Sequence, residues 1–576
     1  MGDEGGTPFF DITHQTWGYS ENQKKDSTFL CAFVLLICIS LGLSALCHKY
    51  HVTVLPEACV VLSVGLVAGF VCKAIYGTRL GFFSRAMLSF DNALFFLALL
   101  PPIIFNSGYQ LHPNWLFGLF GPIMAFSIAG TLFSAIVIGT VLSLASAAGM
   151  VPPVTFAETL TFGALVSATD PVSVLAVFTE LRVDPKMFYL IFGESVLNDA
   201  VGIVLFKTFA KYIGFEHSPL TLLIAIVDFI VIFLGSMILG FLCAIAFALL
   251  LRLLRCDPSH VTVEGAKNAR KLQLVAMAVS VFAVAFIAEI VELSGIVATL
   301  FAAVGIRHWG LPNMQASPDD ATPNTPAEEV DALMNTLSHL ADTIVFLYLG
   351  LSVPAAAKEW QMVYSHSMVI WSIVACIASR AMQIYPLSWL NNYHARKNIK
   401  DKGASATLEE RVRQSEIPMN MQHMLWFAGL RGAVAFSCSH IFPNELGNRD
   451  LFSVTTTMVI IVSMYVLGAL TIPTLDYLNV SKGCEVSRDV VVERPTLRRR
   501  KSRKDAHSDA PQVTRFFRAL AYMDNWLYPL CVATPPSQDN LMAQDGRTGL
   551  HSMVELATTV EFSSRHGGEH KSGTMV

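Results

Sequence analysis

The chain has 576 residues, 53% of them hydrophobic and only 15% charged, with a mean hydropathy of +0.51, a composition that excludes an ordinary soluble domain. The net charge of -4, with basic residues confined to loops and the tail, excludes a nucleic-acid-binding face. The 11 cysteines are an odd count without a CxxC pair, which excludes a disulfide frame or zinc site and leaves small core residues.

Apolar stretches long enough to cross a bilayer recur from Thr28 to Leu478. In chain order, spans are expected near 28–47, 54–74, 88–108, 116–147, 157–180, 187–212, 219–253, 271–291, 294–309, 337–356, 366–390, 420–441 and 453–478, about thirteen in all. The first is too long for the core of a signal peptide and lacks a basic segment before it, so it reads as a retained span. An odd number of spans puts the termini on opposite sides. Arg252, Arg255, Lys267, Arg270 and Lys271 then share a side with Arg396, Lys397, Lys400, Lys402, Arg411 and Arg413, and with the cluster Arg498 to Lys504. The positive-inside rule makes that side cytosolic. The expected layout is a lumenal or extracellular segment 1–27, a transmembrane domain 28–480 and a cytosolic, partly disordered tail 481–576.

Three short stretches break the apolar pattern: "SATDPVS" (Ser167 to Ser173) in the fifth span, "FGESVLNDAVGIVL" (Phe192 to Leu205) in the sixth, and "FAGLRGAVAF" (Phe427 to Phe436) in the twelfth. Asp170 before Pro171 is an N-cap and an N1 proline, so one helix ends and another begins in mid-membrane. Exposed backbone there is tolerated only beside a buried polar cavity. The breaks fall one span before the last of each half, the position expected of two six-helix inverted repeats with crossed broken helices and an ion site between them. The all-α polytopic reading rests on the apolar spans, and the inverted repeats, separated by the seventh span, on the position of the breaks alone. Asp170 serves equally well as a mere cap or as an ion ligand.

On a helix, Ser195, Asp199 and Gly202 share a face, with Glu194 and Asn198 on an adjacent one. A carboxylate at bilayer depth must be paired, hydrated or protonated. Asp199 is the candidate ion carrier: neutral when protonated and, once the proton leaves, a hard ligand for Na+ or K+. A carboxylate that holds either ion but never both makes an exchanger. With the amide of Asn198 beside it there is one titratable charge rather than two, which favours electroneutral exchange. The alternative is a salt bridge that staples two helices. Arg380 and Arg431 are mid-span guanidiniums that need acidic or carbonyl partners; Asp170, Glu194, Glu289 and Glu292 are available, and the pairing is open. Glu289 is placed in an access funnel, while Asp228 and Asp342 are weaker candidates that cap or pair locally. No Walker loop supplies phosphate binding and no HExxH supplies zinc, so a secondary transporter is expected rather than a pump or an enzyme. A passive cation channel is the alternative.

Five motifs in order, "ALFFLALLPPIIFNSGY" (Ala93 to Tyr109), "SATDPVSVLAVF" (Ser167 to Phe178), "FGESVLNDAV" (Phe192 to Val201), "LSGIVA" (Leu293 to Ala298) and "GLRGAVAFS" (Gly429 to Ser437), resemble the eukaryotic sodium/proton exchangers, of the monovalent cation:proton antiporter family. The resemblance implies that Asp199 binds Na+ or K+ with Asn198 as its partner, in the electroneutral Asn-Asp branch. It further implies that Asp170 and Thr169 form the unwound crossing, that Glu194 and Arg380 form a structural ion pair, and that Arg431 marks the second crossing. Phe96, Leu97, Pro101 and Pro102 would belong to the segment linked with amiloride-type inhibitors and cation access. A homodimer and elevator-type alternating access, with dimerisation and ion-transport subdomains, are also implied, as is control of cytosolic or organellar pH and cation content. Two departures bear on ion selectivity: Thr169, where many members carry an apolar residue, and Asp342, which replaces a glutamate. The short tail resembles the Golgi or endosomal branch more than plasma-membrane members.

In the tail, Arg498, Arg499, Arg500 and Lys501 read as an anionic-lipid patch or an ordinary stop-transfer cluster, and phosphorylation of Ser502 would switch lipid binding. Thr514 to Leu530 is amphipathic enough to lie on a membrane or bind a partner. Thr574 to Val576 match a PDZ-domain ligand. No cofactor is expected.

Overall fold

A computed structural model describes residues 21–50, 56–76, 94–111, 119–170, 172–214, 219–255, 263–314, 326–355, 364–402, 416–483, 527–528 and 530–532. The described residues are helices and the turns between them, with no strand among them. The basic cluster at Arg498 to Lys501 expected to meet anionic lipid, Ser502 and the expected PDZ ligand Thr574 to Val576 lie outside the described residues.

The chain divides into two compact units. The first takes in residues 1–53, 57–90 and 343–357. It holds α1 (Glu21–Lys49) and α2 (Glu57–Tyr76) and the last turns of a helix ending at Ala355. α1 starts at Glu21 rather than Thr28 because Glu, Gln and Lys are good helix formers and carry the helix past the apolar window. Within this unit a Cβ on Gly65 would strike the Leu347 carbonyl, and one on Gly350 the Leu62 carbonyl. Two backbones can meet at that crossing only because both residues lack side chains.

The second unit contains the rest. α3 (Leu100–Gln110) follows a π turn at Phe95–Leu99; α4 (Phe120–Ala147) has a π turn at Ala125–Gly130. Next come α5 (Phe156–Ser167), α6 (Val172–Leu181), α7 (Pro185–Ala210), α8 (Pro219–Leu253), α9 (Val263–Ile290) and α10 (Gly295–Gly305). α11 (Pro326–Ala355) gives this unit its 326–342 part. It is followed by α12 (His366–Lys402), α13 (Met419–Phe427), α14 (Ala433–His440) and α15 (Arg449–Tyr477). Nine helices among the described residues are long and apolar enough to cross a membrane. The stretches expected near 157–180 and 420–441 are instead two short helices each, α5 with α6 and α13 with α14. The stretch near 294–309 is α10 followed by a π turn at Ile306–Gly310 and a 3-10 turn at Leu311–Asn313.

α3, α8, α9, α10 and the start of α11 share an apolar core that includes Phe105, Ala244, Met277, Val281, Ala303 and Met334. Between membrane helices such packing gains dispersion energy rather than dehydration, since lipid is as apolar as leucine. Gly240 of α8 rests on the Ala298 backbone, where a Cβ would clash.

The described end of the tail docks on the same group. Cys531 is fully buried and packs with Ala248, Tyr528 and Trp309. The Asn313 side-chain amide donates to the carbonyls of Ala248 (3.0 Å), Trp309 (3.1 Å) and Cys531 (2.8 Å), and Arg252 donates to the Leu530 carbonyl. Leu527, Tyr528 and Leu530, the described part of the amphipathic stretch, therefore sit against the protein's own helix ends. In a background with the other ten cysteines changed to serine, Cys531 is expected to resist a membrane-impermeant maleimide. Asn313→Ala, which removes the polar clamp, is expected to raise the labelling rate severalfold, read by gel shift.

Candidate ion-binding site

α5 begins at a capping box in which the Thr155 and Glu158 side chains accept each other's backbone N–H. It stops at Ser167, leaving the last carbonyls of a half-helix unpaired inside the protein. Arg431, from the break between α13 and α14, fills that gap: its Nη1 donates to the Ser167 carbonyl at 2.8 Å and the Ala168 carbonyl at 3.2 Å. A cation at the negative end of a helix is the favourable choice. Conversely the Asp170 amide donates to the Leu430 carbonyl at 2.9 Å. The two unwound stretches thus satisfy each other. Gly432 is required where they touch, because a Cβ there would overlap the Asp170 carboxyl group. Pro171 lies outside the described residues.

α7 lies against the crossing with a row of polar groups. The Asn198 carbonyl oxygen accepts from Thr131 Oγ1 of α4 at 2.6 Å, and its amide nitrogen donates to Thr169 Oγ1 at 3.1 Å and the Ser167 carbonyl at 3.3 Å. Both ends of the amide are engaged, a task a carboxylate lacking hydrogens cannot perform. Ser195 Oγ donates to the Thr169 carbonyl and lies 3.4 Å from its hydroxyl. Ser127 Oγ of α4 donates to the Glu194 carbonyl at 3.0 Å.

Glu194 and Arg380 of α12 form a forked pair, Nη1 to Oε1 at 2.5 Å and Nη2 to Oε2 at 2.8 Å, with side chains only 1% and 4% exposed. Arg380 also donates through Nε and Nη2 to the Leu425 carbonyl near the end of α13, at 3.3 and 3.1 Å. The two arginines left open by the sequence thus divide their work: Arg380 takes a carboxylate and a carbonyl, Arg431 takes carbonyls.

Asp199 differs from all of these. Its neighbours Glu194, Ser195 and Asn198 are buried, whereas Asp199 is partly exposed. Among the described residues no hydrogen bond or ion pair reaches its carboxylate. A carboxylate left open beside satisfied neighbours is free to take a proton or a cation.

Residues expected in the access region meet at a small cavity. Phe96, Leu97, Pro101, Glu289 and Thr299 line it; Pro102, which is buried in α3, does not. Asp228 accepts from Tyr212 at 2.9 Å, and Asp342 from Ser338 at 3.5 Å, both as local partners. Sequence reasoning missed Thr131, Ser127 and Gln383, whose Nε2 donates at 3.0 Å to the Phe126 carbonyl within the π turn of α4. Only Gln383 carried a signal, being one turn after Arg380.

A profile of the family described as sodium/hydrogen exchanger, transmembrane, matches residues 33–477. The chain belongs to the sodium/hydrogen exchanger family. Family relatives are transporters, not enzymes. Sodium/hydrogen exchanger 8 of Homo sapiens is 32% identical over 483 residues, 82% of this chain and 75% of that one. Sodium/hydrogen exchanger 5 of Arabidopsis thaliana is 29% identical, over 80% and 81%, and the endosomal/prevacuolar sodium/hydrogen exchanger of Saccharomyces cerevisiae is 29% identical, over 80% and 69%. Among solved structures, the sodium proton antiporter MjNhaP1 of Methanocaldococcus jannaschii aligns with a TM-score of 0.49 and 15% identity, over 79% of this chain and 97% of that one.

Proposed function

We propose that this exchanger moves Na+ or K+ against H+ without net charge, with Asp199 as the alternating ligand. The observation that carries the reading is the open carboxylate of Asp199, without a hydrogen bond or ion pair among the described residues, beside residues whose hydrogen bonds are filled. Glu194 and Arg380 cancel each other, Asn198 is neutral and pinned, and Arg431 is engaged by carbonyls. Swapping one proton for one monovalent cation on Asp199 then leaves the charge of the site unchanged. Thr169, Ser195 and Asp170 stand beside it as supplementary oxygen ligands.

Elevator-type movement is part of the proposal. α4, α7, α12 and the crossing are joined by polar bonds, among them Thr131 to Asn198, Ser134 to Ser379 at 3.0 Å, and Arg380 to Glu194. α3, α8, α9 and α10 are joined by apolar packing. Two internally cohesive groups, with Lys207–Glu289 and Tyr212–Asp228 among the polar contacts between them, can slide as bodies. A homodimer through the second group, an endomembrane (Golgi or endosome) or plasma-membrane setting and a cytosolic C-terminus complete it. The docking of Leu530 beside Arg252, at the end assigned to the cytosol by its basic residues, supports that orientation.

The test uses proteoliposomes with a trapped pH dye and an outward proton gradient. Na+, K+ or Li+ is added outside, with membrane voltage free or clamped at zero. Lumenal alkalinisation that follows one cation and is indifferent to the clamp is expected. Cation uptake without proton movement would overturn the proposal in favour of a channel.

A further inference from the structure

Between Leu190 and Phe209 of α7 every side chain is buried except two, Asp199 and Lys207. Lys207 sits two turns beyond the ion ligand, and its Nζ lies 3.3 Å from Oε1 of Glu289 on α9, with the two side chains 38% and 43% exposed. This pair reaches from the polar group that carries Asp199 to the apolar group of α8, α9 and α10.

The setting of Glu289 is built to attract a cation. It stands in the last turn of α9, where the helix dipole is negative and acidic residues are disfavoured. Glu292 follows at φ 58°, and the Glu292 and Leu293 amides close the turn on the carbonyls of Glu289 and Ala288 at 3.2 and 2.9 Å. The carboxylate lines the cavity together with Thr299, whose hydroxyl is fully buried and has no hydrogen-bond partner among the described residues. Gly295, also at the lining, leaves space next to Oε1. Oxygen ligands of this kind suit a hard monovalent cation. A lysine there has an ordinary structural explanation, a charged head rising toward the membrane surface along an apolar stem. That explanation does not require the ammonium to rest on the one carboxylate of a cation-attracting cavity.

We infer that Lys207 is a tethered competitor for the transported cation: its ammonium holds the Glu289 carboxylate until an arriving Na+ or K+ displaces it at the mouth of the path to Asp199. The inference rests on exchange through Asp199. Because the pair joins the two groups, cation arrival also removes a link between them, so occupancy and freedom to move are coupled. Lys207 acts through Glu289 and is a positioning residue for the substrate.

The test compares the cation dependence of exchange by the full chain in proteoliposomes. Lys207→Gln removes the competitor and is expected to lower the apparent KM for the cation about two- to fivefold, the range a half-exposed ion pair commands, with little change in maximal rate. Lys207→Arg keeps the charge and is expected to keep the wild-type KM. Glu289→Gln is expected to raise KM, and adding Lys207→Gln to it is expected to change nothing further. An unchanged KM in Lys207→Gln, or a rise matching that of Glu289→Gln, overturns the inference and makes the pair a simple brace. Full activity of Asp199→Asn would sink the exchange reading instead, so the two failures are distinguishable.

Discussion

Asp199→Asn is expected to abolish cation-driven proton movement in proteoliposomes, down to the rate of empty vesicles, while the protein stays folded. The amide has the size of the carboxylate but neither binds nor releases a proton near neutral pH, and its single carbonyl oxygen offers a cation no charge. The structural cost is small because no hydrogen bond or ion pair among the described residues depends on this side chain and its surroundings are partly open. The thermal midpoint in detergent should therefore match the wild type, within the range usual for exposed substitutions. The neighbouring position is expected to differ in stability. Asn198→Ala removes three hydrogen bonds, to Thr131, Thr169 and Ser167, and is expected to lower the midpoint as well as the rate. Both activity and stability, measured on both variants, separate a ligand from a brace. A residual proton flux in Asp199→Asn equal to that of the wild type would move the ion site elsewhere.

The contrast between those two residues explains what was legible in the sequence. Polar residues where an apolar helix should run are visible as letters, so Asp170, Thr169, Glu194, Asn198, Asp199, Arg380 and Arg431 could all be singled out. The broken helices were legible too, because proline and glycine have local consequences that need no knowledge of the fold. Partners were not legible, because pairing is decided through space. Arg431 could have taken any of several carboxylates, and it took the carbonyls of Ser167 and Ala168, which every sequence contains and none advertises. Thr131 and Ser127 are ordinary membrane-helix residues until α7 is laid beside them. The π turns of α3 and α4 have no compositional signature, yet one of them presents the Phe126 carbonyl to Gln383. Nothing in the sequence singles out Lys207, since only the position of α9 brings Glu289 to it.

The second large effect concerns stability. Arg380 and Glu194 are joined by a forked pair with almost no exposure, and the desolvation of both charges is offset by that geometry and by the Leu425 carbonyl. Removing one partner leaves the other charged, buried and unpaired, at a cost of about 3–5 kcal/mol. Arg380→Met and Glu194→Leu are each expected to give little folded protein, with a sharply lowered midpoint by fluorescence-detected size exclusion. The double variant is expected to recover much of that loss, because no isolated charge remains, although the Leu425 carbonyl loses its donor. Exchange should return only partly, since Arg380 also fixes the end of α13 against α7 and so sets where the crossing sits relative to Asp199. Equal, additive losses in the two single variants would mean that the residues act separately; a strongly non-additive cycle means that the pair is one structural unit. On the proposed one-for-one exchange at Asp199, charge neutrality is expected to depend on that unit, because an unpaired Glu194 between one and two turns away would offer a second site for a proton or a cation.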